Sequence, residues 1–431
     1  MKPASAASAD AAASRRRKIV IIGGGFGGLA CARELGHADV DVVVIDRRNH
    51  NLFQPLLYQV ATAALSPADI AEPIRRTLGR FRNIMMIMAG VTAVDQGMKQ
   101  VSLDDGTAVE FDQLVIATGS EYNYFGHDDW RSHAPGLKSI HEARIIRQRL
   151  LLAFEKAEKS IEPSERRALL TSIVIGGGPT GVEMAGAISE LGRYMIDRDY
   201  RHLSVDDLRV VLVEQGPRIL AAFPEKLSDY AAGYLSRIGV EVQTGQQVSD
   251  VTPTGVEIGG RFVRANCVVW GAGVRASAAH AWLGLKGEAG GRIPVDGNLR
   301  VVGSVDIYAI GDTALALGPD GAPLPGLAQV AKQQGIYLGR VLRRDGHSER
   351  PFVFRNRGNT AVIGRNAAIF DFGRWTLKGR LAWLLWAIVH VYLLVNFEKR
   401  LLVSIQWIWR YMTRQRSARL IDEGGLPDLE R

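Results

Sequence analysis

The chain has 431 residues, 47% of them apolar, which is too long for one ordinary domain and ample for the cores of two or three. Its two cysteines, Cys31 and Cys267, lie far apart beside apolar stretches, which excludes a disulfide framework and a CxxC metal or redox pair. The net charge of +8 gathers at residues 15 to 18 and 399 to 419; basic ends beside Trp-rich apolar runs fit an anionic lipid surface and argue against nucleic acid.

Residues 1 to 17 are Ala/Ser-rich up to the first basic cluster, with no apolar run between, so they read as a disordered tail and not as a secretory signal. From residue 18, KIVIIGGGFGGLACAREL reads as a buried strand, a glycine turn and a helix, and VDVVVIDRR at 40 to 48 as the next strand. The pattern returns as SIVIGGGPTGVEMAGAISEL at 172 to 191, followed by RVVLVEQ at 209 to 215. The chain therefore holds two βαβ units. DQLVIATGS at 112 to 120 closes the first and NCVVWGAGV at 266 to 274 the second, while 302 to 314 reads as a return to the first domain.

Each unit carries the dinucleotide fingerprint in its required context. In Gly23-x-Gly25-x-x-Gly28 the first glycine permits the tight turn, the second lets backbone approach a pyrophosphate, and the third lets helix pack on strand. Asp46 ends the following strand, where a carboxylate takes ribose hydroxyls. Gly176-x-Gly178-x-x-Gly181 repeats this with Glu214, whose 33-residue distance from Gly181 exceeds the usual interval of about 20 and implies an insertion around 193 to 208. The charge of Glu214 repels a 2′-phosphate, which favours NADH over NADPH, with Arg218 nearby as the opposing consideration.

After residue 350 the character changes. Residues 381 to 397 carry no Asp, Glu, Lys or Arg, and a second run follows residues 398 to 400; five of the eight tryptophans fall in this region. Seventeen helical residues span about 26 Å against a hydrocarbon core of about 30 Å, so helices lying in the interface are expected in place of a single span. His390, within this run, reads as a satisfied or interfacial histidine and not as a catalytic one.

Two dinucleotide units, one nested in the other's domain, resemble the two-dinucleotide-binding flavoprotein superfamily, with FAD in the first and NADH in the second. The fold class is then α/β: two Rossmann-like domains plus C-terminal amphipathic helices. The expected map is FAD-binding at 18 to 145 and 296 to 350, NADH-binding at 146 to 295, and a membrane-anchoring and dimerisation region at 351 to 431. Ala117-Thr118-Gly119 and Gly311-Asp312 match the superfamily's ATG and GD flavin contacts, and Gly273 lies in the turn closing the NADH half.

Ala328-Gln329-x-Ala331-x-Gln333 and the segment NLFQPLLYQVATAALSPADIA at 51 to 71 resemble type II NADH:quinone oxidoreductases from about residue 18 to 414. The resemblance implies hydride transfer from NADH to FAD and two-electron reduction of a membrane quinone without proton pumping. It also implies a homodimer attached to one leaflet, on the cytoplasmic face of a bacterial inner membrane. Ala328 would adjoin the flavin, Gln329 and Gln333 would donate to quinone carbonyls, and Glu183 would lie near nicotinamide and flavin, positioning NADH or serving proton delivery. The Ala/Gly stripe of this helix, Ala328, Ala331 and Gly335, would admit something flat. An NADH-dependent ferredoxin-type reductase and a flavin-linked signalling protein are the alternatives.

Overall fold

The structure, a computed structural model, describes residues 15–288, 290–346, 350–393, 397–413 and 419–421. Packing divides the chain into two compact units: Met1–Asn49, Ile74–Gly119 and Ala276–Phe354 form the first, and His50–Pro73, Ser120–Arg275 and Arg355–Arg431 the second. The domain edges therefore fall at 119/120 and 275/276, where 145/146 and 295/296 were expected, and the C-terminal region belongs to the second unit.

In the first unit five parallel strands lie in the order Ile307–Ala309, Gln113–Ile116, Arg17–Ile22, Val40–Asp46, Ile84–Met88. Alternate residues of Arg17–Ile22 point to opposite faces, and both faces are covered: Ile19 and Ile21 pack with Leu35, Leu338 and Leu342, while Val20 and Ile22 pack with Val101, Leu103 and Phe111. That double burial is why these strands are continuous apolar runs. Arg17 opens the first strand and donates to Gln113 Oε1 at 3.0 Å and to the Leu342 carbonyl at 2.7 Å, so the domain starts before the expected end of the tail. Of the rest of the expected tail, residues 1 to 14 lie outside the described residues.

The helix Ala328–Arg343 packs along the helix Phe26–Leu35. A Cβ at Gly335 would stand 2.2 Å from the Gly27 carbonyl oxygen, and one at Gly339 would stand 2.8 Å from that of Cys31. Gly335 is thus small because another helix presses on it, which corrects its expected place in a cofactor-facing stripe.

In the second unit the parallel order is Val240–Thr244, Arg209–Glu214, Thr171–Ile175, Cys267–Trp270. The helix Pro179–Arg198 has 20 residues where its counterpart Phe26–Leu35 has 10, and with the short turn Val205–Asp207 it accounts for the long reach to Glu214. An antiparallel sheet of Asn359–Gly364, Ala367–Asp371 and Thr376–Gly379 lays its first strand against this helix.

The helices Arg380–Leu393 and Phe397–Thr413 complete the unit. Their inner side is aromatic: Trp386 stacks on Trp407 at 5.3 Å and on His390 at 4.3 Å, and the Trp407 indole donates to Gln59 Oε1 at 3.1 Å. Outward, Leu381, Leu384, Ile388 and Tyr392 on one helix and Leu401, Ile405, Ile408 and Met412 on the other are exposed at helical spacing. Among the described residues no helix is long and apolar enough to cross a membrane.

Candidate active site

Both fingerprint turns have one build. Gly23 has φ +108° and Gly176 φ +105°, in the left-handed region, and an added Cβ would collide with the next crossover turn, 2.3 Å from the Ala117 carbonyl oxygen in the first case and 2.7 Å from the Ala272 nitrogen in the second. At Gly28 and Gly181 a Cβ would stand 1.8 Å from the carbonyl oxygen of Gly23 and of Gly176. Gly25 and Gly178, in contrast, face open space at the mouths of helices whose first turns have no side-chain cap and no acidic residue. Backbone amides and the positive helix end are thereby left for an anion.

The strand-end acids lock these turns. Asp46 accepts the Gly24 amide on Oδ2 at 2.6 Å and the Arg48 amide on Oδ1 at 2.8 Å. Glu214 does the same with the Gly177 amide on Oε2 at 2.6 Å and the Gly216 amide on Oε1 at 2.7 Å. Each oxygen keeps a lone pair for a ribose hydroxyl, so both cradles fit a dinucleotide. The Arg218 guanidinium donates to the Phe223 carbonyl at 2.8 Å, Ser228 Oγ at 2.7 Å and the Ala221 carbonyl at 2.8 Å. It holds its own loop together, so its orientation is set by that loop.

In the first unit the ATG and GD turns meet. Thr118 Oγ1 lies 2.6 Å from Ser277 Oγ and 3.0 Å from Thr313 Oγ1, and Thr313 also donates to the Gly119 carbonyl at 3.1 Å. Gly311 donates its amide to Gln334 Oε1 at 2.7 Å, and the Asp312 carboxylate abuts Gly326. Sequence reasoning missed Ser277, Thr313 and Gln334. Thr313 could have been found as the residue after Gly311-Asp312, and Gln334 from the Gly335-x-x-x-Gly339 pair that fixes which helix face turns inward; Ser277 has no sequence signal. Gln334 is 1% exposed, whereas Gln329 and Gln333 are half-buried and Ala328 is exposed at the helix start. The N-cap Leu327 offers no side-chain bond and the first turn itself has no acid, while the Asp312 carboxylate stands beside Gly326 just ahead of it.

In the second unit Gly273, with φ +73°, is needed by Phe125, whose ring would lie 2.6 Å from a Cβ there. Glu183 sits in the first turns of the helix Pro179–Arg198 and accepts the Val362 amide on Oε1 at 3.2 Å. Its side chain keeps a narrow opening to solvent, yet dense surroundings push its carboxyl up to about 8, only partly offset by the Val362 amide. His390 is 7% exposed, with Nδ1 2.8 Å from the Trp386 carbonyl, and burial pushes it down to about 4. Cys31 and Cys267 are both buried, and burial raises their thiols far from the thiolate form that nucleophilic chemistry needs.

Two nested nucleotide cradles of this build define a two-dinucleotide oxidoreductase without a reactive cysteine pair. The model of the pyridine nucleotide-disulphide oxidoreductase family matches residues 17–335, and that of the NDH2 C-terminal domain matches 356–416. The type II NADH:quinone oxidoreductase Ndh of Mycobacterium tuberculosis is 36% identical over 409 residues, 91% of this chain and 87% of that protein. The mitochondrial internal alternative NAD(P)H-ubiquinone oxidoreductase A1 of Arabidopsis thaliana is 31% identical over 90% of this chain and 82% of its own length. The structure of NDH2 from Plasmodium falciparum in complex with NADH shares the fold, with a TM-score of 0.86 at 22% identity, covering 94% of this chain and 100% of that one. The chain belongs to the type II NADH:quinone oxidoreductases.

Proposed function

We infer that the protein is an FAD-dependent NADH:quinone oxidoreductase that pumps no protons. The observation that carries this reading is the matched pair of acid-locked glycine cradles in a chain whose only two thiols are buried and inert. FAD, when bound, would supply the redox chemistry that links NADH oxidation to two-electron quinone reduction.

Asp46, Gly25 and the mouth of the helix Phe26–Leu35 would hold the FAD ribose and pyrophosphate, while the Thr118, Thr313 and Gln334 bonds fix the Ala117–Gly119 and Gly311-Asp312 turns that would contact the rest of the cofactor. Glu214, Gly178 and the mouth of the helix Pro179–Arg198 hold NADH, with Gly273 in the closing turn. The positive end of the helix at Ala328 favours negative charge beside it, and the side-chain amides of Gln329 and Gln333, one turn apart, donate to quinone carbonyls. Glu183, protonated over much of the neutral range, holds a proton ready for the reduced quinone.

The exposed apolar faces of the helices Arg380–Leu393 and Phe397–Thr413 support attachment to one leaflet of an anionic membrane, at the cytoplasmic face of a bacterial inner membrane, and homodimerisation through the same end. The test is NADH oxidation, followed at 340 nm, by FAD-loaded protein in detergent with a short-chain quinone, with no acceptor and with NADPH. Rapid turnover is expected only with NADH and quinone. Flavin bleaching without quinone turnover would overturn the acceptor, and absence of bleaching the whole reading.

A further inference from the structure

The strand Asn359–Gly364 is an edge strand, yet its free side is not left to solvent. The helix Pro179–Arg198 covers it with three residues on one helical face, Glu183, Gly186 and Glu190. Glu183 takes the Val362 amide at 3.2 Å and Glu190 Oε1 takes the Arg365 amide at 2.5 Å, so two carboxylates stand where a neighbouring strand's carbonyls would be. Amides three residues apart point the same way only if the strand is irregular between them, and a bulge lies between Val362 and Gly364. Between the two bonds the backbones nearly touch: a Cβ on Gly186 would stand 1.9 Å from the Ile363 carbonyl oxygen and 3.1 Å from its carbon. No side chain fits there. Tyr234 closes the far end, donating its hydroxyl to the Arg365 carbonyl at 2.6 Å.

We propose that the C-terminal sheet sets the proton exchange of Glu183 through the Val362 amide, with Gly186 as the positioning residue that lets the strand come close enough to make that bond. The proposal rests on the reading of Glu183 as the proton-holding group of the quinone step. An amide donor favours the ionised carboxylate while burial favours the acid, so the docked strand is the element that keeps the carboxyl titratable near neutrality and not locked in the protonated form. Charged and titratable groups on the elements packed about this helix include Glu190 on the helix itself, Tyr58 on Leu57–Ala61, Glu214 on Arg209–Glu214, Tyr230 and Tyr234 on Glu225–Arg237, and Arg365. What shifts the Glu183 carboxyl is burial first and the Val362 amide second. The same sheet leads directly into the helix Arg380–Leu393, so whatever seats that helix also seats the donor.

The experiment is the pH profile of quinone reduction by the FAD-loaded full chain in Glu183→Gln, Gly186→Ala and Leu235→Ala. Leu235 packs beside Gly186 without touching the bond, so its truncation reports loss of packing alone. Glu183→Gln should abolish the alkaline limb; if the limb persists, the functional reading of Glu183 falls and this inference with it. If the limb is lost there, Gly186→Ala should move it upward by roughly one pH unit with NADH KM unchanged, because the anion loses its donor. An unmoved limb, or an equal shift in Leu235→Ala, overturns the inference while leaving Glu183 in its role. Should Gly186→Ala fail to fold, wild-type protein labelled with 15N-valine decides: the Val362 amide shift should titrate with the midpoint of the activity limb, and a flat Val362 signal overturns the proposal.

Discussion

Coenzyme choice rests on two side chains with opposite charges, and the structure separates them. Glu214 ends its strand holding the Gly177 and Gly216 amides, and its negative charge meets anything attached at the ribose 2′ position. Arg218, four residues on, spends its guanidinium on the Phe223 and Ala221 carbonyls and Ser228 Oγ. Two like unit charges at about 4 Å near a protein surface repel by about 4 kcal/mol, and screening and rearrangement leave a fraction of that. Glu214→Gln removes the charge while keeping one carbonyl acceptor for the turn. The ratio of kcat/KM for NADPH to that for NADH should rise roughly 10- to 100-fold, equivalent to about 1.4 to 2.8 kcal/mol. NADH itself should bind more weakly, since one of the two amides and the ribose hydroxyls lose an acceptor. Arg218→Ala should lower Tm by loosening residues 218 to 228 and leave the ratio alone. An unchanged ratio in Glu214→Gln, or a selective loss of NADPH turnover in Arg218→Ala, would refute the reasoning.

Gln334→Leu keeps the volume but orphans the Gly311 amide, at a cost of about 1 to 3 kcal/mol, and should weaken FAD retention roughly tenfold or more in a fluorescence release assay. Gln329→Ala should raise the quinone KM while leaving anaerobic flavin bleaching by NADH nearly intact; slowed bleaching would put Gln329 in the wrong pocket. His390, depressed to about 4 by burial, stabilises the fold above the unfolded value of about 6.5, and that stability is lost as pH falls from there through 4. Thermal scans from pH 7 to 4 should show a decline of up to about 3 kcal/mol, and His390→Phe should flatten it. Ile388→Glu with Ile405→Glu should abolish co-flotation with anionic vesicles without changing NADH-driven bleaching.

What the sequence made legible was chemistry that is local. A tight turn needs Gly23 and Gly176, close packing needs Gly28 and Gly181, and an acid must end the next strand; these demands lie within a few dozen residues and are met by residue type alone. The helix beginning at Ala328 shows where this stops. Three glutamines, Gln329, Gln333 and Gln334, stand in its first two turns, and which of them turns inward depends on rotation about the axis. That rotation is set by Gly335 and Gly339 meeting Gly27 and Cys31, about 300 residues away in sequence, so Gln334 passed unnoticed and Gly335 was assigned to a ligand.

In the C-terminal region the apolar runs are plain in the sequence but their docking is not. Residues 351 to 431 are expected as a membrane-anchoring and dimerisation region, and the sequence does not show that Gly186, within an ordinary helical run, is the gap into which Ile363 fits. A glycine in a helix interior costs about 1 kcal/mol relative to alanine, and Gly186, Gly335 and Gly339 each have a close backbone neighbour that accounts for it, whereas Gly233 has none. Residue type alone does not separate these positions from Gly233; only the folded chain reveals a sheet edge against Gly186 and another helix against Gly335 and Gly339.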